Sequence, residues 1–241
     1  MKIITSWPDA GGGPRRSAQH KGGTIPVALG FRAGRGGSAV VGVAADGPEA
    51  CVVLSTFLAT AAEGDRLSLE PYHVAAELAR GSHDRVPPEA AAAVAEGRKR
   101  QDFMATKSLA DLQHKLAESG CKPAVAALLV NRAGWITDLL EYSLFAPEHP
   151  AVAEGLAVRD ALRFALGECG IKVVEMDEKS LVEVASKELH LTLASLEARL
   201  KSLGATAGKP WRKEQKLACL SAWLAVAALW RPRRSRRASQ D

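Results

Sequence analysis

In this chain of 241 residues with six histidines, acid–base chemistry has few places to sit. His149 and Glu154 form the most serviceable pair, because an imidazole carries a proton near neutrality and a carboxylate can orient it or ligate a metal. Their i, i+5 spacing does not stack them on one face of a regular helix. The plain alternative is an early-turn acid favouring the helix dipole beside an incidental histidine. Glu70-Pro71-Tyr72-His73 supplies a second carboxylate, Glu70, and a second imidazole, His73, just ahead of an expected helix; the same cluster equally suits a structural chain reversal. Two arginines, Arg32 and Arg35, lie in the glycine-rich stretch 30–38, where backbone N–H groups and guanidinium groups together can hold an anion. The stretch matches neither GxGxxG before a helix nor GxxxxGK[ST], and glycines that merely permit a tight hairpin account for it as well.

The elements that must position these residues follow from apolar patterning. Residues 27–33, 38–45 and 50–57 are short runs rich in valine and leucine, divided by Gly34, Gly36 and Gly37 and by Asp46-Gly47-Pro48, and predict three strands in two hairpins. Two further strands are expected at 124–131 and 171–176. Residues 89–118 predict one long helix or two, ending at Gly120, and His149–Glu168 predicts a crossover helix ending at Gly170. Ser180 to Glu183 has capping-box form. A leucine stripe at 193, 196, 200 and 203 is expected to stop at Gly204, and residues 211–230 supply a last helix.

The resulting order, β-β-β-α-β-α-β-α, predicts an α/β protein of ribonuclease H-like plan: three antiparallel strands, then two parallel strands with crossover helices. Residues 24–230 are expected to form this one domain, with a helical insertion or loose arm at about 81–100, a disordered leader at 1–23 and a basic disordered tail at 231–241. Nucleases of that plan hold two divalent metals between carboxylates on the first strand, near the fourth strand and on the last helix. Here the first strand carries Arg32 and no acid, so that site is expected to be absent or rebuilt. A rebuilt site for Mg²⁺ or Mn²⁺ would draw on Glu154, on Asp138 after the fourth strand, and on Glu214 at the start of the last helix. Arg132 and Lys216 are the phosphate contacts expected beside them.

Several short segments also bear on the fold. Gly30-Phe31-Arg32, Pro71-Tyr72-His73, the stretch from His149 to Gly155 with Arg159, and Lys209-Pro210-Trp211 leading into Leu220 to Leu224 resemble an uncharacterised family of small bacterial proteins. That resemblance implies one intact ribonuclease H-like domain and no particular reaction.

Of the net charge of +5, residues 1–22 contribute +3 and residues 231–241 contribute +4, which leaves −2 on the body. Bulk charge therefore gives the body no nucleic-acid signature, although the Arg-rich tail can grip phosphates. Cys51, Cys121, Cys169 and Cys219 are too dispersed for a zinc site or a disulfide framework, which fits a reducing cytoplasm. The apolar run 217–230 is too short to span a membrane. Two functions are expected to compete. One is a nucleic-acid-associated protein, either an atypical metal-dependent nuclease or a degenerate binding relative. The other is a non-enzymatic interaction or regulatory module whose residues 89–118 and terminal helix present apolar faces to a partner or to a second copy of the chain. A phosphorylated small-molecule site around Arg32 and Arg35 is a third expectation.

Overall fold

The computed structural model describes residues 24–46, 49–82, 86–131 and 135–230. Its layering begins with the alternation along β1 (Ile25–Gly34). Val27, Leu29 and Phe31 enter one hydrophobic core, and Ala28 enters the other, on the opposite side of the sheet. Strand β2 (Gly37–Asp46) pairs antiparallel with β1 and with β3 (Glu49–Ala59). On the other side of β1 lie β4 (Cys121–Val130) and then β5 (Val173–Asp177), both parallel, giving the order β3-β2-β1-β4-β5. Short helices α1 (Arg66–Leu69) and α2 (Pro71–Leu78) precede α3 (Pro88–Glu118). Helices α4 (Leu139–Phe145) and α5 (His149–Glu168) connect β4 to β5, and α6 (Leu181–Glu188), α7 (Leu193–Ala207) and α8 (Lys213–Trp230) follow. This mixed sheet, with helices on both faces, is the ribonuclease H-like fold that the order of elements predicts.

One core packs α3 and α5 on the sheet through Leu109, Leu116, Leu162 and Leu166. The other packs α8, through Ala218, Ala222 and Val226, on the small-residue side of β1. Gly30 sets that spacing. A Cβ there would lie 1.8 Å from the Ala218 carbonyl oxygen and 2.6 Å from Ser221 Oγ, so only glycine lets α8 approach so closely. Register then places Arg32, two residues on, at the end of β1 facing the start of α8.

Several local expectations are corrected. Residues 88–98 are not a loose arm: they form the start of one continuous 31-residue helix, with Ala90, Val94 and Gly97 buried. Gly204 does not end α7, which runs on to Ala207; it is a helical glycine because a Cβ would lie 2.3 Å from the Trp211 ring. Ser180 precedes α6 without capping it, because its hydroxyl donates to Asp177 Oδ2 at 3.0 Å. The apolar body of α8 is not free for a partner, since residues 218–226 are buried in its own fold, whereas Trp230 is 48% exposed. No helix among the described residues is long and apolar enough to cross a membrane. The leader 1–23, the tail 231–241 and Arg132 lie outside the described residues.

Candidate functional site

Where β1 ends, Arg32 is held in a fork. Its Nε lies 3.2 Å from both carboxylate oxygens of Glu178, its Nη2 donates to Glu178 Oε1 at 3.0 Å, and its Nη1 stands 3.5 Å from Glu214 Oε1 on α8. Glu178 follows β5, and its amide donates to the Val130 carbonyl at 3.0 Å, which ties it to the end of β4. With side-chain exposures of 22% and 19%, Arg32 and Glu178 form a largely buried bidentate pair joining β1, β5 and the first turn of α8.

A second constellation lies where α2 meets α5. Proline at N1 removes one of the orphan N–H groups of α2, and Glu70, at its N-cap, makes no side-chain cap. The cap comes from Glu154, 82 residues away: its Oε1 accepts from Tyr72 N at 2.7 Å and from His73 N at 3.1 Å. Burial pushes the Glu154 carboxyl up to about 7, against the lowering effect of those two amides. His73 Nδ1 lies 3.5 Å from the same oxygen, and neither Nδ1 nor Glu154 Oε2 has a hydrogen-bond partner among the described residues. Glu70 completes the cluster by accepting from Arg66 Nε at 2.7 Å and from Arg35 Nη2 at 2.8 Å. The Arg66 guanidinium, followed by that of Arg35, holds the Glu70 carboxyl below its usual range. The arrangement can take up or release one proton near neutrality, with the half-exposed His73 as its solvent-facing end.

Glu70, His73, Glu154 and Arg35 thus come together, but His149 does not join them. Its Nδ1 lies 2.8 Å from the Tyr142 carbonyl oxygen, and its ring stacks on Tyr142 at a centroid distance of 4.0 Å. The expected His149–Glu154 pair is replaced by His73–Glu154, because the backbone between α4 and α5 turns the imidazole back onto α4. Asp138 caps α4, accepting from Glu141 N at 2.9 Å. Lys216 lines a groove with Lys201, Lys213, Leu196 and Trp211, about 700 Å³ in volume.

Mg²⁺ and Mn²⁺ require hard oxygen donors around one point. Here Glu178 and Glu214 face a guanidinium, Asp138 is spent on a helix end, and Glu154 is spent on two amides. Among the described residues, no group of three or more His, Cys, Asp or Glu side chains is placed to hold a metal ion. The donor set does not fit a two-metal centre at the end of β1.

Two residues escape sequence reasoning as site members. Glu178 had a usable signal, being an acid just beyond the carboxyl end of a parallel strand. Arg159 had another: it is a cation within the apolar stripe of α5, and it is buried at 8% exposure.

The chain is similar to RuvC of Thermus thermophilus at 13% identity, over 84% of this chain and 95% of that one, with a TM-score of 0.48. It is similar to T. thermophilus RuvC in complex with a Holliday junction substrate at 13% identity, over 84% and 94%, with a TM-score of 0.46. The yeast mitochondrial Holliday junction resolvase Ydc2 matches at 12% identity, over 86% and 82%, with a TM-score of 0.45. No protein-family model and no curated protein sequence matches the chain, so the likeness to small bacterial proteins rests on the short segments alone.

Proposed function

We propose that this chain is a nucleic-acid-associated protein of ribonuclease H-like fold that binds without two-metal cleavage. The observation that carries this reading is the Arg32–Glu178 fork at the end of β1 with Glu214 alongside, a cation seated where a two-metal nuclease needs a carboxylate. Support for a phosphate-bearing ligand comes from the corner between α7 and α8, where Lys201, Lys209, Arg212, Lys213 and Lys216 are all exposed. Ribonuclease H-like sheets leave a crevice beyond the carboxyl ends of their parallel strands, and Arg32 lies at its margin.

The test is to incubate the full chain, and the chain ending at residue 230, with labelled single- and double-stranded DNA and RNA, with Mg²⁺ or Mn²⁺ and with EDTA. The expected result is salt-dependent binding that survives removal of 231–241 and weakens in the Lys213→Glu/Lys216→Glu variant, with no cleavage. EDTA-sensitive cleavage lost in Glu154→Gln would overturn the non-catalytic reading. Absence of binding by both forms would overturn the nucleic-acid reading.

A second reading, an interaction module, is favoured by one exposed aromatic surface. Phe145 is 83% exposed and Trp135 71% exposed beside the Tyr142–His149 stack. Phe145→Ala/Trp135→Ala that self-associates less while retaining nucleic-acid affinity would support that reading for this surface.

A further inference from the structure

At the end of β4 a buried cation makes no ion pair with a carboxylate among the described residues. Arg159 is 8% exposed; its Nε donates to the Leu129 carbonyl at 3.3 Å and its Nη1 to the Gly155 carbonyl at 3.0 Å. Both partners are neutral carbonyl oxygens. The neighbouring part-buried arginines differ: Arg32 has Glu178, Arg98 has Asp160, and Arg163 has Asp160 and Glu175. The charges that act on Arg159 are Glu178, Arg163, Arg32 and Asp160, and both of those acids are already held by other guanidinium groups. Among these arginines, Arg159 is the one whose hydrogen bonds to the described residues go to backbone carbonyls and not to a carboxylate.

An unpaired buried charge is expensive, and most side chains escape the cost by neutralising. Burial does lower the affinity of Arg159 for its proton, but a guanidinium keeps that proton at any ordinary pH. What relieves such a site is an anion from outside. Leu129 is the penultimate residue of β4, so the guanidinium sits where the parallel strands open into their crevice. Arg32 lies on the neighbouring strand, and among the described residues its Nη1 is engaged by the 3.5 Å contact with Glu214.

We propose that Arg159, backed by Arg32, forms an oxyanion site that takes one phosphate group at the carboxyl ends of β1 and β4. A phosphodiester of nucleic acid and a free phosphate or phosphomonoester share this chemistry. The first source rests on the function proposed above; the site itself does not.

The full-length protein is titrated with inorganic phosphate, with adenosine monophosphate and with a short oligonucleotide lacking terminal phosphates, each against chloride at matched ionic strength. Thermal unfolding and the ¹⁵Nε–Hε resonance of Arg159 are the readouts. Phosphate is expected to raise the unfolding temperature beyond chloride and to shift that resonance. Arg159→Met is expected to abolish both responses, and Arg159→Lys, which keeps the charge but loses the planar fork, to weaken binding about tenfold. No phosphate-specific response in the wild type overturns the site, as does an equal response in Arg159→Met. Should Arg159→Met fail to fold, the wild-type resonance decides: a shift supports the site and a fixed position overturns it. Phosphate or adenosine monophosphate binding without oligonucleotide binding keeps the site and overturns the nucleic-acid reading. Oligonucleotide binding that Arg159→Met leaves intact, with no phosphate response, does the reverse.

Discussion

The end of β1 and the junction of α2 with α5 hold similar ingredients, a carboxylate, a basic side chain and partial burial, and put them to different use. At the end of β1 the charges are matched: Arg32 and Glu178 meet through both carboxylate oxygens, and Glu214 faces the remaining nitrogen. At the α2–α5 junction Glu154 is buried against two amides and an imidazole, and among the described residues one of its oxygens has no partner. A matched pair fixes geometry and gives little chemistry. A carboxyl that is buried and incompletely satisfied responds to pH, because its charged form is the one that burial penalises. The molecule thus has a rigid side at β1, β5 and α8 and a titrating side at α2 and α5.

The largest effect is expected from removing the contact that sets the rigid side. Gly30→Ala drives a methyl into the Ala218 carbonyl and should cost about 3 kcal/mol or more by chemical denaturation. A loss under about 1 kcal/mol would show that α8 shifts freely and that Arg32 is not held in a fixed place.

The titrating side is tested by pH. The folded-state pKa of Glu154, about 7, exceeds its ordinary value of 4.5, so the folded chain binds the extra proton between those values. The stabilisation is complete below the lower value and is lost as pH rises through about 7. Glu154→Gln mimics the protonated form. Relative to the wild type, it should gain roughly 2–3 kcal/mol between about pH 4.5 and pH 8. Parallel pH curves for the two proteins would place Glu154 in an ordinary carboxylate environment and erase the contrast.

Glu178→Ala should cost about 2 kcal/mol, because it strands a largely buried guanidinium. It should also open Arg32 to external anions, strengthening phosphate binding. Unchanged stability would mean that the fork is not a lock. The smallest effect is expected at the exposed margin of the titrating side: Arg35→Ala, at 72% side-chain exposure, should cost under about 0.5 kcal/mol and leave the Glu154 titration in place.

The architecture was legible because it rests on local pattern. The valine- and leucine-rich runs of β1 and β2, the glycines between hairpin strands, and the apolar stripe of α5 each mark an element by its neighbouring residues, and five strands in that order leave few topologies. Short helices were less visible: α4 and α1 have seven and four residues, too few for a period to emerge. The candidate site was legible as a set of residues and illegible as a set of pairs. Glu154, His73, Glu70 and Arg35 were all in view, yet Glu154 was matched to the nearer histidine in sequence, His149. Helix α2, opening on Pro71 with no side-chain cap of its own, draws in a carboxylate from α5.

By itself, then, the sequence determined the mixed sheet, the absence of an acid on the first strand and the inventory of groups able to carry protons or bind phosphate. Only the tertiary structure decided that Glu178 meets Arg32 across 146 residues, that Glu154 rises toward neutrality, and that the buried Arg159 bonds to backbone carbonyls and, among the described residues, to no carboxylate. Hydrophobic period is written into neighbouring residues, whereas pairing and burial of charge depend on which distant elements the packed sheet brings side by side.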